Sequence, residues 1–368
     1  MQCGARAPIS AKAADNVNLP PWGRRRGWVK RCEMGYKRAM VLEPASWHLA
    51  LIFGVSLAAS LALTGLLRHW LLGRQILDRP NERSAHTTPV PRGGGLAILA
   101  VLLPAWAFIE PALWPLLLAA AALGAVGWWD DLRGLKPWPR LIAQAIAVAL
   151  GLYELGPLTH GFLPLPLDLA LAGLAWLWFV NLFNFMDGID GIAGVEAISI
   201  GLGLTAIGLW IANFGDLAAL STGLAGAVLG FLYWNWHPAK LFLGDVGSQA
   251  LGFLIGFLLL RTAAQGAWAA ALILPLYFLT DASWTLARRL VAGENIMAAH
   301  AQHIYQQAVR LGRNHGQVAS AVLVANLALI AFALGAEMGE RPVSLAGAAL
   351  TILVLTRRLL NPPSAERN

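Results

Sequence analysis

The sequence predicts an all-α, polytopic membrane protein, and three observations carry this prediction. Hydrophobic residues make up 57% of the chain and charged residues only 13%, which is unusual for a soluble domain. The mean hydropathy is +0.59. Apolar runs long enough to cross about 30 Å of hydrocarbon recur along the chain. Both cysteines, Cys3 and Cys32, precede the first run, so the rest of the chain has no disulfide framework and no cysteine metal site.

Eleven windows have the length and hydropathy of transmembrane helices. They cover residues 47–67, 93–109, 112–129, 141–156, 167–183, 195–213, 217–234, 246–262, 267–287, 317–336 and 342–360. The count of about 11 depends on several short or closely spaced windows. We therefore expect an N-terminal tail (1–46), a single multi-spanning domain (47–360) and a C-terminal tail (361–368).

Basic residues are distributed unevenly between the loops, and cytoplasmic loops carry the excess of Lys and Arg. The odd-numbered loops and the C-terminus hold Arg68, Arg74, Arg79, Arg83, Arg92, Arg133, Lys136, Arg140, Lys240, Arg288, Arg289, Arg310, Arg313, Arg357, Arg358 and Arg367. The opposite loops hold Arg341, and Arg261 lies at a helix end. The odd-numbered loops are therefore predicted to face the cytoplasm, with the first helix entering from outside.

The N-terminal tail disagrees with this topology. Its basic residues are Arg6, Lys12, Arg24, Arg25, Arg26, Lys30, Arg31, Lys37 and Arg38, and they account for most of the net charge of +7. Glu43 and Pro44 interrupt the apolar core that a signal peptide requires. We expect a disordered tail or a start at Met34 or Met40; the alternative is an inward tail that inverts the topology. This charge gives no argument for a nucleic-acid partner.

Carboxylates and amides collect at the predicted cytoplasmic ends of the helices. They are Asp130, Asp131, Asn181, Asn184, Asp187, Asp190 and Asp245. Carboxylates at the edge of hydrocarbon are costly to desolvate, so such a cluster indicates binding of a cation, a phosphate or a proton. Carboxylate and amide oxygens suit Mg²⁺, which usually also contacts substrate phosphates. The pattern therefore favours phosphoryl-transfer chemistry at a cytoplasmic-face site.

Five motifs follow one another on this predicted face. They are Asp78-Arg-Pro-Asn-Glu-Arg83-Ser-Ala-His86 with Pro91-Arg92-Gly-Gly-Gly95, Trp128-Trp-Asp130-Asp131, the Asn/Asp segment 181–190, Phe242-Leu-Gly-Asp245-Val-Gly-Ser248, and His300-Ala-Gln-His303-Ile-Tyr-Gln306. Through these motifs, residues 47–360 resemble the bacterial polyprenyl-phosphate N-acetylhexosamine-1-phosphate transferases that initiate O-antigen, and more distantly phospho-MurNAc-pentapeptide translocase. Each motif alone is weak, whereas the ordered set is specific.

The resemblance implies a reaction and a setting. A UDP-N-acetylhexosamine gives its sugar-1-phosphate to undecaprenyl phosphate, UMP is released, and Mg²⁺ is required, with Mn²⁺ as an alternative. The sugar is GlcNAc or a deoxy relative such as QuiNAc or FucNAc, and the product initiates O-antigen or another cell-envelope polysaccharide. The expected location is the bacterial inner membrane, in contact with membrane lipid, and a homodimer is an open option.

The resemblance also implies roles for individual residues. Asp245 resembles the metal ligand, assisted by Asn184. The nucleotide-sugar site would include Asn181, Asn184, Asp187 and Asp190. The pair Asp130 and Asp131 resembles the family's aspartates, assigned either as a base or as positioners of the lipid phosphate. His300 and His303 would contact diphosphate oxygens, and Arg92 and Arg288 would add positive charge.

Several readings stay open at this stage. Asn181 is either a ligand or an amide that joins two helices, and the glycines at 93–95 favour close packing over phosphate binding. Asp281 is either catalytic or a structural partner of Arg288, and His315 is expected at the surface. The sequence departs from the family pattern at Trp138, where many relatives carry a basic residue. It also departs at Tyr305 and Gln306, where the family's His-x-His-His motif often has two histidines.

A polytopic transporter is the alternative function. It predicts charges near the membrane midplane and pseudo-symmetric halves. Apart from Glu196 and Asp281, the acids instead cluster at helix ends, and no internal repeat is found.

Overall fold

The computed structural model describes residues 26–78, 88–159, 162–210, 215–295 and 300–362. The chain divides into two compact units, residues 1–48 and residues 49–368, and the second carries the site. The first helix, α1, is Arg26–Gly73, so its backbone is helical over part of the segment predicted as a disordered tail. The predictions for residues 1–25 and for the last six residues lie outside the described ranges.

Helices dominate the described residues. After α1 come α2 (Gly95–Ile109), α3 (Trp114–Arg133), α4 (Pro137–Leu155), α5 (Leu165–Phe185), α6 (Ile192–Trp210), α7 (Gly215–Asn235), α8 (Asp245–Ala264), α9 (Trp268–Ile273), α10 (Leu276–Val291), α11 (Ile304–Arg310), α12 (His315–Glu337) and α13 (Arg341–Leu360). Two-residue strands β1 (Leu77–Asp78) and β2 (Val90–Pro91) pair antiparallel, with Leu77 opposite Pro91. The prediction of an all-α polytopic membrane protein is confirmed.

All eleven predicted windows are largely helical, but they do not all qualify equally as membrane spans. Eight helices of the described chain are long and apolar enough to cross a membrane. Helix α2 has 15 residues, and α4 does not meet the length and hydropathy conditions together. The ninth window is divided into α9 and α10 before Pro275, whose ring nitrogen cannot donate a helical hydrogen bond. The count of eleven spans therefore stays a prediction.

Helix α8 forms the centre of the bundle. Of its membrane window, 83% is buried, compared with 17% for α1. It packs against α3 and α5, where Gly252 approaches the backbone of Val180. The indole of Trp176 on α5 donates a 2.9 Å hydrogen bond to the carbonyl of Phe253. This packing holds the first residue of α8, Asp245, at a fixed place relative to α3 and α5.

The odd-numbered loops meet at one end of the bundle, here called the polar end. Contacts between them include Arg92 with Asp131, and the hydroxyl of Tyr305 with the carbonyl of Phe185. The even-numbered loop after α2 lies elsewhere, where Glu110 forms a two-point ion pair with Arg261 of α8 at 2.6 and 3.1 Å. The predicted sorting of the loops is thus matched by their contacts.

Candidate active site

The glycine triplet packs against the loop that leads into α8. The amides of Gly93 and Gly94 donate to the carbonyl of Phe242 at 3.2 and 2.8 Å. A Cβ on Gly95 would collide with the backbone of Gly247. The expectation that these glycines serve close packing is therefore confirmed.

Asp131 caps the N-terminus of α8. Its Oδ1 accepts from the amide of Asp245 at 2.9 Å, and its Oδ2 accepts from the amide of Val246 at 3.1 Å. The first amides of a helix have no partner within the helix, so a carboxylate satisfies them and complements the helix dipole. Arg92 Nε also contacts Asp131 Oδ1 at 2.7 Å, and the side chain of Asp131 is only 1% exposed. Asp131 thus fixes the start of α8.

A glycine makes this cap sterically feasible. Gly244, directly before α8, has φ +77°, which glycine adopts without strain. A Cβ there would also press against a carboxylate oxygen of Asp131.

Asp130 makes different contacts from its neighbour. Its Oδ1 accepts from the amide of Leu135 at 2.6 Å, and its Oδ2 pairs with Arg140 Nη1 at 2.7 Å. The same nitrogen lies 3.4 Å from Asp245 Oδ2. Arg140 therefore bridges Asp130 and Asp245. Trp138, which replaces the basic residue of relatives, is 65% exposed.

Asn184 and Asp245 form the best candidate for a magnesium site. Asn184 Nδ2 lies 2.8 Å from Asp245 Oδ1 and 2.7 Å from Ser248 Oγ. The O and N ends of an amide are assigned from such contacts, so a flip would place its oxygen there. Octahedral Mg²⁺ has ligands at about 2.0–2.1 Å, so adjacent ligand atoms are about 2.9 Å apart. The separation of these two side chains fits that spacing.

Asp187 completes the group of charges. Burial, with the nearby carboxylates of Asp245 and Asp131, raises the pKa of Asp187 well above its usual range, although Arg92 opposes this. The acid–arginine cluster consists of Asp130, Asp131, Asp187, Asp245, Arg92 and Arg140. Four carboxyl groups here face two guanidinium groups, so ionisation of all four would leave two negative charges uncompensated within the cluster. One divalent cation would supply that charge.

Asp190 lies in a second group, here called the histidine cluster: Asp190, His237 and His315. Its Oδ2 is 2.7 Å from His237 Nδ1 and 3.2 Å from His315 Nδ1, and it accepts from the amide of Ala239 at 3.1 Å. Burial opposes ionisation, but the hydrogen bonds from both histidines hold the pKa of Asp190 below its usual value. The expectation that His315 lies at the surface is wrong, because this side chain is buried.

The histidine cluster has ligand types that suit a divalent transition metal. One donor atom from each residue lies within 4.8 Å of the others. In this structure Asp190 Oδ2 contacts Nδ1 of both histidines, and the backbone amide of Asp190 donates to His315 Nδ1 at 3.3 Å. The cluster is thus held by polar contacts of its own. Its contacts join the loop after α5 to the loop after α7 and to the start of α12.

Asn181 joins helices rather than facing the acid–arginine cluster. Its Nδ2 donates to Gln144 Oε1 of α4 and to the carbonyl of Leu177, each at 2.8 Å. Gln144 Nε2 in turn donates to Gln249 Oε1 of α8 at 3.2 Å. This amide chain links α4, α5 and α8, and it supports the reading of Asn181 as an amide that holds helices together.

His303 is held by a buried carboxylate, Asp281. Asp281 Oδ1 lies 3.2 Å from His303 Nδ1 and accepts from the amide of Ile304 at 2.9 Å. Its Oδ2 accepts from the amide of Tyr305 at 3.2 Å. Asp281 thus caps α11 and orients the imidazole, which leaves Nε2 as the ring nitrogen that can face a ligand. The alternative pairing of Asp281 with Arg288 is not among its contacts.

The remaining predicted residues lie around this histidine. The rings of His300 and His303 are 4.9 Å apart, and His300 Nδ1 is buried without a hydrogen-bond partner among the described residues. Tyr305 OH donates to the carbonyl of Phe185 at 2.9 Å, which ties this segment to the end of α5. Arg288 is exposed and donates to Gln302 at 3.3 Å.

The structure therefore divides the predicted site residues into groups. The residues brought together are Arg92, Asp130, Asp131, Asn184, Asp187 and Asp245, while Asn181, Asp190, His300, His303 and Arg288 lie outside this group. Arg83 and His86 fall outside the described residues. Sequence reasoning missed the contacts of Gln144 and His237 and the contribution of Ser248. Gln144 and Gln249 are polar residues inside apolar windows, and that signal was available.

Comparisons with known proteins agree with this geometry. Residues 113–263 match the family described as glycosyl transferase family 4. The matched segment runs from the start of α3 to the end of α8. It includes both aspartates of α3, the Asn/Asp segment and Asp245, and it ends before His300.

Individual relatives cover more of the chain. It is 30% identical over 324 residues to the decaprenyl-phosphate N-acetylglucosaminephosphotransferase of Mycobacterium tuberculosis, covering 75% of this chain and 79% of the relative. It is 28% identical over 292 residues to the "Probable undecaprenyl-phosphate N-acetylglucosaminyl 1-phosphate transferase" of Bacillus subtilis, with 75% and 81% covered. It is 31% identical over 251 residues to the phospho-N-acetylmuramoyl-pentapeptide-transferase of Shouchella clausii, with 60% and 76% covered.

Proposed function

Because this chain belongs to glycosyl transferase family 4, we propose that it transfers an N-acetylhexosamine-1-phosphate from a UDP-sugar to a polyprenyl phosphate. An oxygen of the acceptor phosphate bonds to the β-phosphorus of the UDP-sugar. The bond between that phosphorus and the bridging oxygen breaks, and UMP leaves with the electron pair. The acceptor lipids in the names of the mycobacterial and Bacillus relatives support this choice of acceptor.

The observation that carries the proposal is the acid–arginine cluster, in which four carboxyl groups meet only two guanidinium groups. The cluster lies beside Asn184, whose side-chain amide is 2.8 Å from Oδ1 of Asp245, a spacing that fits adjacent ligands of Mg²⁺ once the amide is flipped. We therefore assign these two side chains as the metal ligands, with Ser248 next to them. When bound, Mg²⁺ or Mn²⁺ would neutralise charge on the diphosphate.

The contacts of Asp130 and Asp131 favour a positioning role over that of a base. Both carboxylates already accept backbone amide hydrogens and pair with arginines. A phosphate monoester has a second pKa near about 6, so the acceptor is mostly dianionic at neutral pH without help. In this proposal the two aspartates hold Arg92, Arg140 and the start of α8. The guanidinium groups then attract phosphate oxygens.

The donor side of the site is assigned to the loop after α5 and to the histidine segment. Asp187 interacts electrostatically with Arg92, Asp245 and Asp131 of the acid–arginine cluster. Asp190 shapes the loop from the histidine cluster. His303, oriented by Asp281 through Nδ1, presents Nε2 to the site, with His300 beside it; in its imidazolium form it would donate from Nε2 to a diphosphate oxygen. Arg288 is exposed and would contribute charge from the rim.

The proposed setting is the cytoplasmic face of a bacterial inner membrane, in the first step of O-antigen or another envelope polysaccharide. The donor sugar is proposed to be N-acetylglucosamine or a deoxy relative such as QuiNAc or FucNAc. The histidine segment within residues 291–316 is the proposed selector. Membership in a transferase family gives no support to the transporter alternative.

The proposal is tested by UMP release from purified protein with Mg²⁺ and undecaprenyl phosphate. UDP-GlcNAc, UDP-GalNAc, UDP-QuiNAc and UDP-FucNAc are supplied separately. We expect UMP with at least one donor, and none after chelation with EDTA. Absence of UMP with all four donors, from protein that remains folded, would contradict the proposal.

Two matched variants distinguish the loss of a site residue from the general effect of replacing an aspartate. Asp245→Asn should abolish UMP release, because it removes the proposed metal ligand while it keeps the side-chain shape. Asp216→Asn should leave the rate unchanged, because Asp216 is an exposed residue in the first turn of α7, at the end opposite the polar end. Equal rates of UMP release for wild type and Asp245→Asn would show that Asp245 is not a required metal ligand.

A further inference from the structure

A carboxyl and an amide face each other deep between α6 and α12. Glu196 is fully buried and Asn326 is 1% exposed. Asn326 Nδ2 donates to Glu196 Oε2 at 2.7 Å. The remaining oxygen of each group, Glu196 Oε1 and Asn326 Oδ1, is buried without a hydrogen-bond partner among the described residues. Two neighbouring polar groups in the membrane region therefore each lack one bond.

Both orphaned atoms are oxygens, and two acceptors cannot satisfy each other. One proton on Glu196 Oε1 would change this, because a carboxylic acid is a donor as well as an acceptor. The acid and the amide would then form a two-point pair: Oε1–H to Oδ1 and Nδ2–H to Oε2. An unpaired buried acceptor costs about 1–3 kcal/mol, so one proton removes two such penalties.

The surroundings of the carboxyl favour the neutral form. Within the described residues, its interactions are with Asn326 and with the backbone amide of Phe278, and none is with a basic side chain. Tyr277 is the neighbouring titratable group on α10. It interacts electrostatically with Glu196, and its hydroxyl donates a hydrogen bond to Asp281. Isolated ionised carboxylates buried without a cation are strongly disfavoured and take up a proton instead.

Helices α6 and α12, which this pair joins, and α10, whose Phe278 amide interacts with Glu196, all reach the polar end. Helix α6 follows the loop of Asp187 and Asp190, α12 begins at His315, and α10 carries Asp281, which orients His303. We propose that Glu196 is a protonated positioning residue whose acid–amide pair with Asn326 sets the spacing of these helices and hence of the donor side of the site. The positioning role rests on the proposed function, whereas the protonation does not.

Infrared difference spectroscopy tests the protonation directly. Wild type at neutral pH should show the carbonyl stretch of a buried carboxylic acid, shifted in D₂O, and Glu196→Gln should lack it. The alternative is an ionised carboxylate bridged to Asn326 Oδ1 by a water molecule, which donates both hydrogens. If wild type and Glu196→Gln show no difference in the carboxylic acid region, the proposal is overturned.

Two variants test the positioning role by UMP release. Glu196→Gln keeps both hydrogen bonds as an amide–amide pair, so its kcat should stay within about twofold of wild type because no interaction is lost. Asn326→Leu leaves the acid alone, and kcat should fall roughly tenfold to hundredfold, the size expected when reacting groups are slightly displaced. Loss of activity in folded Glu196→Gln, or full activity in Asn326→Leu, would contradict positioning.

Discussion

Asp187 and Asp190 lie three residues apart in one loop, yet they belong to opposite electrostatic environments. Asp187 is in the acid–arginine cluster, where burial and neighbouring carboxylates raise its pKa. Asp190 is in the histidine cluster, where hydrogen bonds lower its pKa. Gly191, with φ +79°, turns the chain directly after Asp190. Neighbouring aspartates of the Asn/Asp segment therefore do not act as equivalent ligands.

The two clusters differ in what they lack. The acid–arginine cluster has four carboxyl groups and only two guanidinium groups to pair with them. The histidine cluster surrounds its single carboxylate with two imidazole side chains. We interpret the first as a site that is completed by a ligand, and the second as a structural joint between loops.

The largest effect is expected from removing the carboxylate of Asp131 that caps α8. Asp131→Ala should lower the free energy of unfolding by about 3–5 kcal/mol, because it leaves Arg92 and two helix amides without their carboxylate. UMP release should also be lost, since Asp245 loses its fixed position. Thermal unfolding in detergent measures the first effect, with Asp216→Asn as the control. An unchanged melting temperature would show that the cap contributes no stability.

The histidine cluster should give a smaller effect that depends on pH. The folded-state pKa of Asp190 is lowered, so its stabilisation is present above the ordinary value of 3.8 and is lost as the pH falls through the folded value. Asp190→Asn should therefore cost about 1.5–3 kcal/mol at neutral pH, the contribution of hydrogen bonds to a charged group. Melting temperatures of variant and wild type should converge in acid. Parallel curves down to the acid range would contradict this account.

The smallest expected effect has the opposite sign. The pKa of Asp187 is raised in the folded state, so its ionisation increasingly opposes folding as the pH rises above the ordinary value of 3.8. Asp187→Asn should raise the melting temperature at neutral pH in EDTA, and the gain should shrink with Mg²⁺, whose charge relieves the wild type. The expected gain is about 1 kcal/mol, as for other stabilising changes at functional sites. If the variant is less stable than wild type in EDTA, the carboxylate of Asp187 does not oppose folding.

Hydropathy predicted most of the fold because membrane helices need long apolar runs. It did not predict the division of the ninth window before Pro275, or an α1 that begins at Arg26. Helix limits of this kind depend on packing and backbone contacts, which a hydropathy window does not record.

The sequence allowed us to predict which site residues lie together when those residues stand at helix ends on the same side of the bundle. Asp131, Asn184 and Asp245 could be brought together from their positions at helix ends. The partners of Asp190 could not, because His237 and His315 are 47 and 125 residues away in sequence. Only the folded chain reveals that pairing, and the same holds for Asp281 and His303.

The cap of Asp131 on α8 also determines how anions are recognised here. A helix N-terminus with free amides normally attracts phosphate, and the first turn of α8 lies in the middle of the polar end. Asp131 occupies those amides with the protein's own carboxylate. The helix therefore offers no ready-made nest for free phosphate or sulfate. Under the proposed function, a substrate diphosphate would be selected through side-chain cations and a bound metal ion instead.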